Sequence, residues 1–162
     1  MFDIYTIGAE VLRQTAVPVS DFNDQLRSTI EAMFVSMERG HGIGLAAPQI
    51  GISQRFFIIK IEGDIGRTFI NPELVLTSPE LVDYEEGCLS IPGVYAKVNR
   101  PGTIKVQAWN EKGRPFNLEA DGLLARVIQH ELDHLNGVLF TDRLSERVRQ
   151  RVLEQYEKRM RA

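Results

Sequence analysis

The stretch that most constrains this chain is residues 121–137, which the sequence predicts to be one helix. Apolar residues recur there at steps of three and four, at Leu124, Ile128, Leu132 and Leu135. This spacing is typical of a helix that buries a single apolar stripe. Asp121 can cap the amino end, and Asn136-Gly137 supplies a left-handed stop at the other end. The rest of the fold must therefore cover that stripe.

Within this helix lies His130-Glu131-Leu132-Asp133-His134, the H-E-x-x-H pattern. The two histidines are a little more than one helical turn apart, so both imidazoles project from the same face and can bind one cation. Glu131 can reach a water molecule on that metal and serve as the general base of a hydrolase. The alternative is a helix that carries histidines for packing only. Since the chain has three histidines and two of them flank a glutamate at this spacing, the pattern favours a metal site.

A catalytic metal of the zinc type usually takes three protein ligands and leaves one position open, so a third ligand is needed. Cys88 is the only cysteine, which excludes an internal disulfide. A lone cysteine can be a small buried hydrophobe, and flanking acidic residues disfavour a free thiolate nucleophile. A divalent metal would deprotonate the thiol, which makes Cys88 the best third ligand. His41 is the competitor.

Composition places the chain among ordinary globular proteins and narrows its partners. The 162 residues are 43% apolar and 25% charged, as expected for one domain over residues 1–162. No apolar run has the length of a membrane span, and no signal-peptide pattern opens the sequence, so we expect a cytoplasmic protein. A net charge of −3 argues against a surface that binds DNA.

The pattern of the remaining segments indicates the fold class. Residues 23–39 and 145–161 have helical spacing, whereas 55–61 is a strand apolar enough to be buried on both faces. Residues 103–109 and 116–119 form a predicted hairpin. Short strands bracketed by helices, without a βαβ rhythm, predict an α+β fold. We expect mainly antiparallel sheets packed around the central metal-binding helix, with an N-terminal and a C-terminal helix.

Residues 42–47 match the G-x-G-x-x-[GA] pattern of dinucleotide-binding proteins, but their context excludes that function. The dinucleotide pattern follows a strand and opens a helix, whereas this one follows a helix and meets Pro48 at once. Small residues let a ligand backbone approach closely, and Gln49 carries both a donor and an acceptor. The alternative is an ordinary tight loop with a solvated glutamine.

Three motifs together resemble a known family. They are Gly-Ile-Gly-Leu-Ala-Ala-Pro-Gln at 42–49, Glu-Gly-Cys-Leu-Ser at 86–90 and Gln-His-Glu-Leu-Asp-His at 129–134. In order and spacing they resemble the signature motifs of bacterial peptide deformylases, and the leucine after the cysteine is similar to the type I branch. The resemblance implies an enzyme that removes the formyl group from the initiator methionine of new polypeptides and releases formate.

The resemblance also implies roles for individual residues. Cys88, His130 and His134 would bind the metal, with water at the open position, and Glu131 would take that water's proton and return one to the departing amine. The Gln49 side-chain amide and the Leu89 backbone N–H would stabilise the oxyanion. The remaining expected substrate contacts are the backbone of Gly44, Leu45, Glu86 and Gly87, and a methionine pocket bordered by Ile43, Arg126, Val127 and His130.

Several alternatives stay open in the sequence. Arg126 could instead point to solvent, and Arg100 and Asp133 could be either structural or supportive of the site. A metalloendopeptidase would share H-E-x-x-H, but its third ligand usually follows that motif, and residues 135–162 contain no histidine. A structural metal-binding module would need a fourth protein ligand.

The cofactor and partners follow from the donor types and from the resemblance. A Cys-His-His set suits Zn²⁺, Fe²⁺, Ni²⁺ or Co²⁺, and the family implies Fe²⁺ in the cell. The expected partners are formyl-methionyl nascent peptides. Residues 143–162 carry seven basic and three acidic side chains, a net charge of +4. This end of the chain is either a solvated helix face or a surface that binds the ribosome.

Overall fold

The computed structural model describes residues 1–162, and its elements confirm the predicted α+β class. The helices are α1 (Asp24–Arg39), α2 (Gly122–Leu135) and α3 (Glu146–Arg161). The strands are β1 (Gly44–Ala46), β2 (Phe56–Ile59), β3 (Arg67–Thr77), β4 (Leu81–Cys88), β5 (Ile91–Pro101), β6 (Thr103–Trp109) and β7 (Pro115–Asp121). Short 3₁₀ helices span Glu10–Arg13, Ala47–Ile50 and Phe140–Arg143. None of the helices combines the length and the hydropathy that a membrane span requires.

The strands form two antiparallel sheets. The larger sheet has the order β1-β2-β3-β6-β7, and β4 pairs with β5 in a separate hairpin. Alternate side chains of β2 point to opposite faces of the sheet. Phe57 and Ile59 therefore pack with α2 in one core cluster, while Phe56 and Ile58 pack with α1 in another. This confirms that the strand in residues 55–61 is buried on both faces.

The helix termini follow the sequence in most respects. Asn23 caps α1, since its side chain accepts a hydrogen bond from the Leu26 N–H at 2.9 Å. Gly137 adopts a φ of 75°, which confirms the left-handed stop after α2. The expected cap by Asp121 is wrong, because its side chain makes no capping hydrogen bond. Asp121 is also the last residue of β7 and is paired with Thr103, so the strand runs directly into the helix.

The β4–β5 hairpin differs from the sequence prediction. Glu86, Gly87 and Cys88 of the Glu-Gly-Cys-Leu-Ser motif form the end of β4, and β5 begins directly after that motif, at Ile91. The sequence did not predict β5, because Pro92, Gly93 and Pro101 interrupt its alternating pattern. A third core cluster joins β5 to α3 through the fully buried Val152.

Candidate metal centre

Three potential metal ligands converge where the end of β4 meets α2. The ligand atoms of Cys88, His130 and His134 all lie within 4.8 Å of one another, and Cys88 Sγ is 3.3 Å from His134 Nε2. Sulfur and nitrogen ligands around one tetrahedral metal are about 3.5 Å apart, so this donor set fits a metal ion. The competing ligand His41 is exposed and lies outside the group.

Glu86 holds one of these imidazoles in place. Its Oε1 lies 2.8 Å from His130 Nδ1, so the Nδ1–H donates to the carboxylate and the Nε2 lone pair is left for a metal. The carboxylate also accepts hydrogen bonds from Arg100 and Arg126. Burial raises the pKa of Glu86, but the hydrogen bonds from His130 and Arg100 outweigh it and lower that pKa to about 2. Glu86 therefore stays ionised.

This side-chain role adds to the sequence interpretation of Glu86, which concerned only its backbone as a substrate contact; Glu86 also lines the cavity described below. The Glu86 residue is only 5% exposed, and its carboxylate lies among cationic and imidazole groups inside the protein. The contact between Glu86 and His130 exists because β4 packs against α2 in the fold. A signal was present in the sequence, since an acidic residue beside a metal ligand is a common partner for a ligating histidine.

Charged side chains around Glu86 hold its carboxylate in place. They include Arg100 and Asp133, whose roles the sequence left open. Arg100 donates from Nε to Glu86 at 2.7 Å and from Nη1 to Asp133 at 2.8 Å. Asp133 also accepts two hydrogen bonds from Arg143, at 2.7 and 3.1 Å. Buried ion pairs are costly to break once formed. Both residues therefore support the site without touching the donor set.

The two imidazoles differ in proton affinity. Burial lowers the pKa of His130, but hydrogen bonds with Cys88 and Glu86 raise it well above its usual value. Burial, together with the charge of His130, lowers the pKa of His134 well below its usual value. Metal ligation requires neutral imidazoles and an ionised thiol, so cation binding here releases protons.

Glu131 lies beside the donor set with its carboxylate enclosed. The residue is 3% exposed, and its Oε1 is buried without a hydrogen-bond partner. Burial raises the pKa of Glu131 to about 7. A carboxylate with a pKa near neutrality can both accept and return a proton. Gly44 allows this approach, because a Cβ there would lie 2.5 Å from Glu131 Oε2.

Gln49 is a buried side chain with defined partners, so the alternative of a solvated loop glutamine is wrong. Its Oε1 accepts a hydrogen bond from the Ala46 N–H at 2.9 Å. Its Nε2 donates to Ser90 Oγ at 3.0 Å and lies 3.6 Å from Cys88 Sγ. These contacts hold the amide nitrogen at the edge of the donor set. Cys88 and Ser90 are the residues immediately before and after Leu89 in the β4–β5 turn.

A cavity of about 580 Å³ opens onto the donor set. The predicted residues Ile43, Gly44, Gly87, Leu89 and Val127 line it, together with His130 and Glu131. Sequence reasoning missed nine further lining residues, which are Gly40, His41, Gly42, Tyr84, Glu85, Pro92, Gly93, Tyr95 and Leu123. Tyrosines on the solvent side of a strand carry no pattern that distinguishes a cavity wall from an ordinary exposed face.

Leu45 does not line this cavity, contrary to expectation. It is fully buried, and its backbone pairs with Ile58 of β2. The Ile43 C=O likewise faces β2, where it accepts a hydrogen bond from the Lys60 N–H at 2.8 Å. Because backbone groups of successive strand residues point in opposite directions, the N–H and C=O of Gly44 face the free edge of the sheet.

Arg126 lines the cavity but does not point to solvent. Its guanidinium donates to Glu86 at 3.0 Å and to the carbonyls of Val98 and Val82, each at 2.7 Å, and lies 5.8 Å from the Tyr84 ring centroid. The residue is 6% exposed. The alternative of a solvent-pointing arginine is therefore wrong. With its charge engaged elsewhere, the side chain offers its aliphatic part to the cavity.

Comparisons with known proteins agree with this geometry. The profile of the family described as Polypeptide deformylase matches residues 1–150. A peptide deformylase of Synechococcus sp. strain RCC307 is 50% identical over 147 residues, which cover 88% of this chain and 73% of that one. The fold is similar to a Synechococcus elongatus peptide deformylase solved in complex with actinonin, at a TM-score of 0.92 and 47% identity, covering 95% of this chain and 86% of that one.

A Legionella pneumophila peptide deformylase structure superposes at a TM-score of 0.95 and 40% identity, covering 99% of this chain and 96% of that one. These matches extend over the whole arrangement of helices and strands that brings the donor set together. They do not favour the metalloendopeptidase alternative, which shared only the H-E-x-x-H pattern. The chain belongs to the polypeptide deformylase family.

Proposed function

We propose that Cys88, His130 and His134 hold the divalent metal ion with which this hydrolase removes the N-formyl group from new polypeptides. The observation that carries the proposal is the convergence of one thiol and two imidazoles beside the unpartnered carboxylate of Glu131. The ion is Fe²⁺ in the cell, and Zn²⁺, Ni²⁺ or Co²⁺ can substitute, since all accept this donor set. When bound, the ion supplies Lewis-acid chemistry.

Glu131 is the general base and then the general acid. It takes the proton of the water that attacks the formyl carbon, and it delivers a proton to the amine that departs with the peptide. Its enclosed position and its pKa of about 7 support this dual role. Formate and a free methionyl amino group are the products.

Gln49 and Leu89 stabilise the oxyanion that develops on the formyl oxygen. The Gln49 Nε2 is directed toward the donor set by its bond to Ser90, and the Leu89 N–H lies one residue past the ligand Cys88. Donors positioned before the reaction stabilise developing charge without reorganisation.

The substrate peptide binds as an added strand. The free edge of β1 presents the N–H and C=O of Gly44, and Gly87 of β4 lines the same cavity. Ile43, Leu123, Val127 and the aliphatic part of Arg126 surround the methionine side chain. Main-chain hydrogen bonds of this kind give affinity without demanding a particular sequence, which suits an enzyme that acts on many nascent chains in the cytoplasm.

The direct test is formate release from a formyl-Met-Ala-Ser peptide, measured together with metal content. We expect wild type loaded with Fe²⁺ or Co²⁺ to release formate, and Cys88→Ser to lose most of its metal, because a neutral hydroxyl replaces a thiolate poorly. Glu85→Ala, an exposed neighbour on β4, is the control for metal content. Full metal content and activity in Cys88→Ser would contradict the assignment of the third ligand.

We expect Gln49→Ala to lower kcat by about 10²–10³ while the metal stays bound, because one oxyanion donor is lost. Since the Gln49 Oε1 also accepts the Ala46 N–H, circular dichroism and thermal unfolding are measured beside turnover. Gln107→Ala, an exposed glutamine on β6 outside the cavity, serves as the control and should keep the wild-type kcat. Unchanged kcat in a folded, metal-loaded Gln49→Ala protein would refute the role.

We also propose that α3 binds the ribosome, where nascent chains emerge. The support is its row of exposed basic side chains, namely Arg147, Arg149, Arg151, Lys158, Arg159 and Arg161. Arg143 is excluded from this surface because it is paired with Asp133.

Reversing Arg147, Arg151 and Lys158 to glutamate should abolish co-sedimentation with ribosomes at low salt, since binding to a polyanion depends on released counterions. Activity on a short formyl peptide should stay near wild type. Binding that is unaltered by the three reversals would rule this surface out. Reversal of Glu146, Glu154 and Glu157 to lysine on the same helix is the matched control and should strengthen binding.

A further inference from the structure

A second groove lies beside the site cavity. Helix α1 forms one side of it, and the segment from the end of β2 to the start of β3 forms the other. Its volume is about 930 Å³. The two cavities share His41, Gly42 and Ile43, the segment that immediately precedes β1. The proposed function leaves this groove without a role, although it opens directly from the substrate cavity.

The direction of a bound peptide follows from the groups along β1. The formyl end must lie near Glu131 and Gln49. At that end of β1 the Ala46 N–H already donates to Gln49 Oε1, so it is not available to the peptide. A peptide added to the free edge from there runs past Gly44 toward Gly42, antiparallel to β1. Each residue of an extended strand advances about 3.4 Å, so with methionine beside Gly44 the third residue lies beside Gly42.

Pairing with this edge ends at His41. That residue has a φ of 58°, in the left-handed region, so the enzyme backbone turns away from the strand direction there. A substrate that continues past its third residue then leaves main-chain contact and meets the side chains of the second groove. Nascent polypeptides are long enough to do so, whereas short test peptides are not.

We propose that this groove receives the fourth and following residues of the substrate polypeptide and selects for basic side chains among them. The inference rests on the proposed function, because it takes the formyl end to lie at the donor set.

The groove has an apolar floor beneath an acidic rim. Ile30, Phe34 and Met37 of α1 contribute apolar surface to it. Its rim carries four carboxylates, none of which forms an ion pair in the structure, namely Glu31, Glu38, Glu62 and Glu111. Lysine and arginine match this arrangement, because their stems pack on apolar surface while the charged group stays at the rim.

The basic residues of the groove do not cancel this preference. Arg27 is paired with Asp24 at one end of α1. The Lys60 ammonium donates to the backbone carbonyls of Ile61 and Asp64. Lys60 keeps its charge, because backbone carbonyls do not neutralise it, but the four carboxylates of the groove outnumber its two cations, Arg27 and Lys60. The groove therefore remains negative.

The test compares three substrates with the metal-loaded enzyme. They are formyl-Met-Ala-Ser, the same tripeptide extended by Lys-Lys-Lys, and the same tripeptide extended by Glu-Glu-Glu. At about 20 mM salt we expect kcat/KM for the lysine peptide to exceed that for the glutamate peptide by about three- to tenfold, the worth of a few exposed ion pairs. The difference should lie in KM, and it should shrink at about 300 mM salt, where charges are screened.

The variant Glu38→Lys/Glu62→Lys should reverse this preference and leave the tripeptide unchanged. Glu80→Lys/Glu119→Lys alters two exposed glutamates outside both cavities and should behave as wild type, which controls for net charge. Equal kcat/KM for the two extended peptides, or a preference that the groove variant keeps, would overturn the assignment. Failure to hydrolyse the tripeptide would instead refute the proposed function itself, so the two failures are distinguishable.

Discussion

Glu131→Ala should lose about 10²–10⁴ of the wild-type turnover, the usual contribution of a general base, while its metal content stays the same. Glu131 is not in the group of three converging ligands, so the alanine removes a proton acceptor and leaves the donor set intact. Metal analysis and formate release on the same sample check the expectation. Glu119→Ala, an exposed glutamate on β7, is the control and should keep full activity. Loss of metal in Glu131→Ala would show that Glu131 is a ligand or a fold element.

The pH profile gives an independent check on the same residue. A base must be ionised to act, so kcat/KM should rise with pH as Glu131 deprotonates. Burial raises its pKa to about 7, and a bound cation would lower that value, so the midpoint should lie at or below about pH 7. The residual activity of Glu131→Gln should lack this rise. An unchanged pH profile in that variant would show that another group causes the rise of kcat/KM with pH.

We expect Glu86→Ala to lower both the stability of the protein and its affinity for metal. The substitution leaves Arg100 and Arg126 buried without their shared carboxylate, and a broken buried pair costs about 3–5 kcal/mol. It also frees the His130 ring, and losing such a partner typically costs about 10–100-fold in metal affinity. Chemical denaturation and a competitive chelator titration measure the two effects separately.

Glu85→Ala is the matched control, because its residue is adjacent on β4 and exposed. Its unfolding free energy and its metal affinity should both match wild type. Unfolding within about 1 kcal/mol of wild type for Glu86→Ala would show that the buried arginines find other partners. Unchanged metal affinity would show that His130 needs no support from Glu86.

The same ion pairs predict how stability depends on pH. The pKa of Glu86 is lowered from 4.5 to about 2, so its ionised form is favoured in the folded protein. The contribution, about 3 kcal/mol by linkage, is fully present above about pH 4.5 and is lost as pH falls toward 2. In wild type, acid unfolding should therefore steepen over this window. Glu86→Ala should lack that part of the pH dependence.

The sequence alone was sufficient for features that depend on local spacing. Helix α2, its histidine pair and its left-handed stop at Gly137 follow from a period of 3.6 residues and from the freedom of glycine at positive φ. The burial of β2 on both faces follows from its continuous apolar run. Cys88 could be chosen from the sequence as the third member of the group, because the chain has few other candidate ligands.

Only the tertiary structure decided features that depend on which distant backbones meet. Strand β5 was not predicted because its prolines and glycine interrupt the alternating pattern of a strand. Its stability comes from pairing with β4 and from packing on α3. Leu45 was misplaced because pairing with Ile58 turns it inward. The partners of Glu86 lie 14 to 44 residues away along the chain, where no local period connects them. Side-chain charge is visible in a sequence, but its burial and its partner are properties of the fold.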